Sequence, residues 1–540
     1  MIMNVEIVIN ITVFLSVLVC LVVYVVRYIK SQYTVFSKLG IPGPRPTFLF
    51  GNSLDFANKF PMDVFQAWSA RYGHVYGFYE GLRPSVVVSC PDMAHQILVK
   101  HFNIFSARPT INPFKYESQG LSLQHVSGAL WKRQRQAVSA GLTTKSIKQM
   151  YPVMCDVTSQ LIKHLQTSTE NSPDGFYIDD LIERYSLDWF AQAALGYHSD
   201  ALTNGNSIQL RFMRASHESM SPSNAITGLA KLFPSLTPLL KPLDKTHKEL
   251  SSLQTSEIKH FLRTLMTNWT KRPGEHCQNI LYNLLTRKVA KADADEPTDT
   301  GDGETPHGTR SRLCEDEVVG EVAGLIGGGV GPVSATLTFC IYNMAVYEEE
   351  QMRLREELES VTRCKDNVTL EELGRLDYME RFILETLRLF PVAPGVSREC
   401  LEDCSILGVQ FKKGMVVRVL ASTMHTREDL FPDHKDFRPH RFIPGASSNR
   451  DKAYGGTSHP RGYLPFGLGP RMCVGQRLAM VSLKLALARL LQEYDVTISH
   501  RTQIPVQVEL RPFIVAKNGV HIKLLTRRKS SSPCRSRATH

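Results

Sequence analysis

A single cysteine, Cys473, lies in a glycine-rich turn directly before an apolar stretch with helical periodicity. The turn reads Pro465-Phe466-Gly467-Leu468-Gly469-Pro470-Arg471-Met472-Cys473-Val474-Gly475. A thiolate at a helix N-terminus is stabilised by free backbone N–H groups and by the positive end of the helix dipole. Gly467 and Gly469 allow the backbone to turn tightly and approach a flat ligand, and Arg471 can neutralise an acidic group on it. The turn therefore predicts a thiolate ligand to haem iron.

The same residues resemble the haem-binding signature of the cytochromes P-450, which is written F-G-x-G-x-R-x-C-x-G. All six fixed positions are present, namely Phe466, Gly467, Gly469, Arg471, Cys473 and Gly475. A buried structural cysteine would not require six residue types at fixed spacing, so the pattern favours the haem site. The resemblance implies that Cys473 is the axial ligand of the iron in haem b (iron protoporphyrin), with the other five residues around the haem.

A second segment, Trp131-Lys132-Arg133-Gln134-Arg135, resembles the W-x-x-x-R helix of the family. The resemblance implies that Trp131 and Arg135 bind a haem propionate, because a guanidinium group suits a carboxylate. A basic face of an amphipathic helix is the alternative. Lys132 and Arg133 are then expected on the outer surface, either as a docking site for an acidic reductase or as unmatched surface charge. By the same resemblance, Arg398 and Arg471 are further propionate ligands.

Glu385 and Arg388 lie three residues apart in a predicted helix, so both side chains are on one face. The segment resembles the E-x-x-R helix of the family, and Pro439-His440-Arg441-Phe442 follows at the expected distance. The resemblance implies that Glu385, Arg388 and Arg441 form a buried structural triad behind the haem turn. A surface ion pair of under ~1 kcal/mol is the alternative.

A long helix predicted from Glu315 to Val361 departs from the family pattern. In the family this helix crosses the oxygen-binding face of the haem and carries (A/G)-G-x-(D/E)-T, whose acid and hydroxyl deliver protons. Here Gly328 and Gly329 match, but Gly331 takes the acid position and Pro332 the threonine position. Proline removes an N–H and clashes with the preceding turn, so the helix is expected to kink or open there. These four residues are the predicted oxygen site, without the acid–hydroxyl pair.

The N-terminal stretch from Ile7 to Val26 is almost wholly apolar and long enough to span a bilayer. Basic residues follow it at positions 27, 30 and 38, whereas Glu6 precedes it. The positive-inside rule then places the rest of the chain in the cytosol. A cleaved signal peptide is the alternative, but the stretch has no basic n-region. We expect a single-pass protein of the endoplasmic reticulum membrane.

The chain is divided as follows from its composition. Residues 1–27 are the predicted transmembrane anchor, 28–46 a basic and proline-rich hinge, and 47–526 one haem-thiolate catalytic domain. Within that domain, residues 292–312 are rich in Asp, Glu, Thr, Gly and Pro and predict a mobile acidic loop. Residues 527–540 predict a disordered basic tail.

The net charge indicates the class of partner, and the cysteine content indicates the redox compartment. The formal net charge is +11, of which the last fourteen residues contribute five basic side chains and no acids. No interleaving of aromatic and basic residues argues for nucleic acid, so anionic membrane lipid and an acidic electron donor are the expected partners. The eleven cysteines show no C-x-x-C pairs, which is typical of reduced thiols in a reducing compartment.

The resemblance to the cytochromes P-450 extends from about Gly43 to Leu524 and is strongest to the 3A-type drug-metabolising enzymes and thromboxane synthase. It implies a mainly α fold with a small β subdomain, behind one N-terminal transmembrane helix. The implied activity is a monooxygenase acting on a hydrophobic small molecule, a sterol, fatty acid or xenobiotic. Electrons would come from NADPH through a separate flavoprotein reductase, with cytochrome b5 as a further partner.

Two alternatives remain open from the sequence. A haem-thiolate isomerase that rearranges an endoperoxide or hydroperoxide brings its own O–O bond, and it needs neither NADPH nor a proton relay. The residues Gly331 and Pro332 suit that chemistry. A haem-binding sensor without turnover is the other alternative.

Overall fold

A computed structural model describes residues 2–109, 121–221, 225–245, 248, 259–271, 279–286, 312–362, 367–443 and 462–527. The predicted mobile loop, apart from Arg312, and the predicted tail, apart from Arg527, lie outside these residues. Helices predominate, and the strands form small sheets, which confirms the predicted fold class. The helices of the described residues are α1 (Ile2–Gln32), α2 (Val35–Lys38), α3 (Pro61–Tyr72), α4 (Pro91–His95), α5 (Gly128–Ala140), α6 (Thr144–Asn171), α7 (Asp179–Trp189), α8 (Ile208–Met220), α9 (Ala225–Leu232), α10 (Thr237–Leu240), α11 (Lys259–Lys271), α12 (Ile280–Thr286), α13 (Glu315–Val346), α14 (Glu348–Thr362), α15 (Leu370–Leu373), α16 (Asp377–Leu389), α17 (Ala421–His425) and α18 (Gln476–Glu493).

The strands of the described residues belong to four small sheets. They are β1 (Val75–Glu80), β2 (Arg83–Val88), β3 (Phe176–Tyr177), β4 (Val396–Glu399), β5 (Cys404–Ile406), β6 (Val409–Phe411), β7 (Val416–Val419), β8 (Tyr494–Ile498), β9 (Val508–Leu510), β10 (Ile514–Ala516) and β11 (His521–Thr526). The largest sheet has the order β1-β2-β7-β4, with β2 and β7 parallel and the outer pairs antiparallel. The sheet β3-β11-β8 is antiparallel, and β5–β6 and β9–β10 form separate pairs.

Helix α13 runs through the largest apolar core and packs against α7, α16 and α18. The predicted helix from Glu315 to Val361 is two helices, since Tyr347 leaves the helical conformation between α13 and α14. Three acidic residues, Glu348 to Glu350, follow at once and favour a new helix N-terminus there. Of the two expected results at Pro332, a kink or an opening of the helix, the opening is wrong, because α13 is continuous through this residue.

Two helices are long and apolar enough to cross a membrane, within the described residues. Helix α13 is mostly buried inside the protein and is therefore a core helix. The most apolar 18-residue window of Ile9–Gln32 in α1 has a mean hydropathy of 2.7 and contains no buried residue, whereas Ile29, near the end of the helix, is buried. Helix α1 is thus the candidate membrane span, as predicted, and it continues beyond Val26 to Gln32.

The predicted hinge is partly packed against the rest of the protein. Phe36 and Ile41 are buried in a second apolar core beside the largest sheet. The amide of Gly77 in β1 donates a hydrogen bond of 2.8 Å to the carbonyl of Pro42. A Cβ at Gly43 would lie 1.9 Å from the carbonyl oxygen of Gly77, so the two backbones are in direct contact. The folded body therefore begins before residue 47.

Candidate functional site

The cysteine turn has the tight backbone geometry that its glycines predict. Gly467 and Gly469 have φ values of 73° and 76°, in the left-handed region that favours glycine. A Cβ at Gly469 would lie 2.1 Å from the carbonyl oxygen of Leu98, so a larger residue cannot fit there. The amide of Cys473 donates to the carbonyl of Phe466 over 2.8 Å, which closes the turn.

The cysteine side chain lies just before helix α18. Gly475 is the N-cap of this helix, and a Cβ added to it would meet no protein atom within 4 Å. The amides of Gly475 and Gln476 and the nearby Arg135 lower the pKa of the Cys473 thiol, as expected at a helix N-terminus. Desolvation by the surrounding protein is the larger effect and raises this pKa above its usual value, although the side chain is exposed to the open cavity. Coordination to a metal ion deprotonates such a thiol.

A cavity of ≈ 430 Å³ separates the cysteine turn from helix α13. Cys473 and Phe466 line one side of it, and Gly328, Gly329 and Pro332 of α13 line another. Gly331 does not line the cavity. Apolar side chains complete much of the wall, among them Leu142, Leu387, Val392, Val396, Val419 and Leu478. Three of the four predicted oxygen-site residues thus face the same space as the predicted iron ligand.

Three arginines line this cavity within the described residues: Arg108, Arg135 and Arg471. Arg398 is buried and lies in the field of Arg108 and Arg471. The Nε atoms of Arg108, Arg398 and Arg471 are buried and have no hydrogen-bond partner in the described protein. Burial and the mutual repulsion of these cations lower the pKa of Arg398 and of Arg471 to about 9. A dianionic group would relieve this repulsion and satisfy the unpaired donors. The two propionates of haem b fit this requirement.

Helix α5 contacts both the arginine cluster and the cysteine turn. The guanidinium carbon of Arg471 lies 4.8 Å from the ring centroid of Trp131, within the range of a cation–π contact. Arg135 donates from Nη1 to the carbonyl oxygen of Met472 over 2.8 Å. Trp131 and Arg135 therefore both line the cavity beside the cysteine turn, and Arg135 also holds the turn through the carbonyl of Met472.

The expected outer position of Arg133 is wrong. Its side chain is buried and forms an ion pair with Glu317 of α13, which is also buried. Lys132 is exposed, as predicted. Residues three and four apart share a helix face, so Arg133 and Lys132 necessarily point in different directions. No spacing pattern indicates the buried carboxylate that Arg133 contacts, because Glu317 is far away in the chain.

Gly328 of α13 leaves room for a side chain that sequence reasoning did not identify. A Cβ at Gly328 would lie 1.8 Å from the amide nitrogen of Gln124, which also lines the cavity. The Gln124 amide lies 3.4 Å from the carbonyl oxygen of Gly324, one turn earlier. A polar side chain from a loop, that of Gln124, therefore lies beside Gly328 in the cavity wall.

Gly331 faces a different element. A Cβ there would lie 2.7 Å from the His217 ring and 2.8 Å from the Phe513 ring. His217 contacts the carbonyl oxygen of Gly327 through Nε2 at 2.8 Å. A glutamate at position 331 would therefore displace two rings, so the family's acidic residue cannot simply be restored there.

The nearby hydroxyl groups of α13 are engaged by their own helix. Ser334 donates to the carbonyl of Gly331 over 2.9 Å, and Thr336 donates to that of Pro332 over 2.7 Å. Thr336 lines the cavity, but its proton is directed to a backbone oxygen. Neither hydroxyl takes the place of the family's threonine.

The three charged residues behind the turn meet in one cluster. Arg388 donates to Glu385 through two bonds of 2.8 Å, and Arg441 Nε lies 3.1 Å from Glu385 Oε1. Arg388 also donates to the carbonyls of His434, Asp436 and His425 at 2.7–3.1 Å. The Glu385–Arg388 pair is fully buried, so the surface alternative does not apply.

Arg108 and Glu321 are further cavity residues that the sequence did not indicate. Arg108 follows an irregular loop without a helical or strand pattern. Glu321 lies on α13 three turns before Pro332 and is 1% exposed. A lone arginine or a lone acid within an apolar stretch carries no spacing signal, so only the three-dimensional arrangement identifies them.

Comparison with known proteins agrees with this geometry. The family model for Cytochrome P450 matches residues 41–524. The chain is 31% identical over 513 residues to cytochrome P450 3A29 from Sus scrofa, an alignment that covers 93% of this chain and 95% of that protein. It is 29% identical to cytochrome P450 3A12 from Canis lupus familiaris over 505 residues, covering 93% and 94% of the two chains. For cytochrome P450 3A28 from Bos taurus the identity is 29% over 510 residues, with the same coverage.

Proposed function

Because the chain belongs to the cytochrome P450 family, whose members are haem-thiolate monooxygenases, we propose that it hydroxylates a hydrophobic small molecule with electrons from NADPH. Haem b is its cofactor, and the enzyme is an oxidoreductase. Each turnover would consume one O2, two electrons and two protons, insert one oxygen atom into a C–H bond and release one water. A sterol, a fatty acid or a xenobiotic is the proposed substrate class.

The observation that carries this proposal is the position of Cys473 opposite α13, in a cavity lined by Arg108, Arg135 and Arg471. When bound through a thiolate, haem activates dioxygen for insertion into a C–H bond. Cys473 would hold the iron, while Arg108, Arg398 and Arg471 would receive the propionates. Their unpaired donors support this assignment. The chain's own contribution is to bind and orient the haem and to keep water from the apolar cavity.

The proposed redox partners and membrane location are based on the sequence motifs, on helix α1 and on exposed residues of the catalytic domain. The chain has no flavin or dinucleotide motif, so a separate NADPH-dependent flavoprotein reductase would supply electrons, with cytochrome b5 as an additional donor. Helix α1 would anchor the protein in the endoplasmic reticulum membrane with the catalytic domain in the cytosol. Exposed leucines at positions 229, 236, 239 and 243, the third of them 71% exposed, support a further contact of the catalytic domain with lipid.

The test is turnover of the purified enzyme in lipid vesicles with reductase and NADPH. A panel of sterols, fatty acids and drug probes should yield oxidised products that depend on NADPH and dioxygen. An enzyme that oxidises none of these probes, but rearranges an endoperoxide without NADPH, would be an isomerase. The residues Gly331 and Pro332 favour that alternative, because an isomerase needs no proton relay.

The substitution Pro332→Thr is expected to raise the amount of product formed per NADPH several-fold. Threonine would place a hydroxyl group in the cavity wall and restore the backbone N–H that proline lacks. Proton transfer from a positioned side chain contributes on the order of 10²-fold to catalysis, so even partial restoration should be measurable. NADPH consumption and product would be measured together.

The matched control is Pro332→Ala, which restores the N–H without a hydroxyl group. Equal coupling in the two variants would attribute the effect to the helix backbone, and unchanged or lower coupling in Pro332→Thr would mean that the protein has another proton route. Gly331→Glu is not a useful companion change, because His217 and Phe513 occupy the space that its side chain needs.

A further inference from the structure

A carboxylate that has no cationic partner among the described residues lies in the wall of the cavity. Glu321 of α13 is 1% exposed and lines the cavity together with Gly324, Leu325 and Gly328. Its Oε2 atom accepts a hydrogen bond of 2.6 Å from the amide of Leu123. Within the described residues, no arginine or lysine forms an ion pair with it. A buried carboxylate in such a position costs several kcal/mol unless a cation compensates it.

Glu317 lies one turn earlier on the same helix and, unlike Glu321, has a cationic partner among the described residues. Glu317 pairs with the buried Arg133 and also accepts a hydrogen bond from the amide of Cys314. Glu321 has only the amide of Leu123, and burial raises the pKa of its carboxyl to about 7. A cation placed beside Glu321 would favour the ionised carboxylate, as Arg133 does for Glu317.

The hydrogen bond to Leu123 does not by itself explain a carboxylate. A neutral glutamine could accept the same bond at lower desolvation cost. None of the cavity arginines acts on Glu321, since burial and the Leu123 amide are the causes that shift the pKa of its carboxyl. Among the described residues no cation compensates this carboxylate, and a cationic molecule bound in the cavity would do so.

We propose that Glu321 binds the ammonium group of a lipophilic amine substrate. This inference rests on the proposed monooxygenase function and narrows its substrate class. The apolar walls around Glu321 would hold the hydrocarbon part, and water would be excluded from the ion pair. An ion pair in such a site is stronger than one at the surface, because the surrounding dielectric is lower.

The position of Glu321 on α13 also determines where such a substrate is oxidised. Gly328, at the predicted oxygen site, lies seven residues further on, which is about 10 Å along an α-helix axis. The oxidised carbon would therefore lie about 10 Å from the nitrogen. Oxidation at the far end of the molecule is expected, and removal of an N-methyl group is not.

The test compares N,N-dimethyldecylamine, which is protonated at neutral pH, with its neutral isostere 2-methyldodecane. Binding to the full-length holoenzyme in vesicles would be followed by the spin-state change of the ferric haem and by the rise in unfolding temperature. The wild-type protein should bind the amine about tenfold more tightly than the hydrocarbon. Glu321→Gln should lose this preference and retain its affinity for the hydrocarbon. Leu325→Met, a neutral change in the same wall, should keep the preference.

Equal affinity of the wild-type protein for the two probes would overturn the proposal, as would an unchanged preference in Glu321→Gln. A red-shifted Soret band with the amine would also overturn it, since the nitrogen would then ligate the iron. If Glu321→Gln does not fold, the comparison of amine and hydrocarbon binding by the wild-type protein still tests the proposal. Product analysis adds an independent result, because N-demethylation as the main reaction contradicts the geometry. The spectrum of the reduced carbon monoxide complex reports the thiolate site separately, so a protein that shows this band but no amine preference refutes only the amine proposal.

Discussion

Replacing Cys473 by serine is expected to abolish the Soret band that identifies thiolate-ligated haem in the reduced, carbon monoxide-bound protein. A serine hydroxyl is neutral at the pH of the experiment and does not replace a thiolate as a ligand to haem iron. NADPH-dependent oxidation by the serine variant should also fall to background, because the thiolate is required for oxygen activation. The measurement is the difference spectrum of membranes that contain the wild-type or variant protein, at equal amounts of polypeptide.

The chain offers a matched control in Cys90→Ser. Cys90 is a partly buried free cysteine and the N-cap of α4, a position that serine favours. This variant should retain the full band. A thiolate band that persists in Cys473→Ser would refute the assignment of the axial ligand. A wild-type spectrum typical of histidine-ligated haem would instead favour a haem-binding sensor without turnover.

The second large effect is expected for Glu385→Gln, which should lower the free energy of unfolding by about 3–5 kcal/mol. The change removes the charge that two guanidinium groups share. The buried Arg388 has two bonds to Glu385, and the partly buried Arg441 has one. Arg388 would keep its bonds to backbone carbonyls but would have no counter-ion in the core. Thermal and urea unfolding of the holoenzyme, followed by circular dichroism and haem absorbance, would measure the loss.

The control for this prediction is the exposed pair of Lys412 and Asp403 on the protein surface. Asp403→Asn removes a carboxylate of the same chemistry where water replaces the lost interaction, so the unfolding temperature should stay close to that of the wild type. An equally small effect of Glu385→Gln would contradict the structural role of the triad. A stable Glu385→Gln protein that no longer binds haem would assign the glutamate to the cofactor instead.

Local patterns in the sequence identified the parts of the site that depend on short-range geometry. The turn around Cys473 has the glycine conformations that its residues predict, and Gly469 is required by contact with Leu98. The pair Glu385 and Arg388 meets because three residues of a helix bring side chains to one face. Helical periodicity did not predict the end of α13 at Tyr347. Residue types that favour a helix continue there, but the backbone leaves the helical conformation.

The residues whose roles the sequence did not predict are those whose contact partners are distant in the chain. Arg133 carries the charge of a surface residue, yet it is buried because Glu317 meets it from α13. Gln124 occupies the space left by Gly328, although 203 residues separate them. Arg108 has no pattern around it and becomes significant only beside Arg398 and Arg471. In each case the function of the side chain depends on a contact that no spacing rule predicts.

The sequence by itself determined the haem-thiolate chemistry, the mainly α fold and the apolar N-terminal helix, because each is carried by contiguous residues with fixed spacing or composition. It also showed that Gly331 and Pro332 replace the acid and the hydroxyl of the family. The tertiary structure was needed to show that α13 continues through Pro332 and that, among the described residues, Glu321 is held by the Leu123 amide and by no cation. These features depend on packing and on the desolvation of charges, which arise when distant segments come together and exclude water.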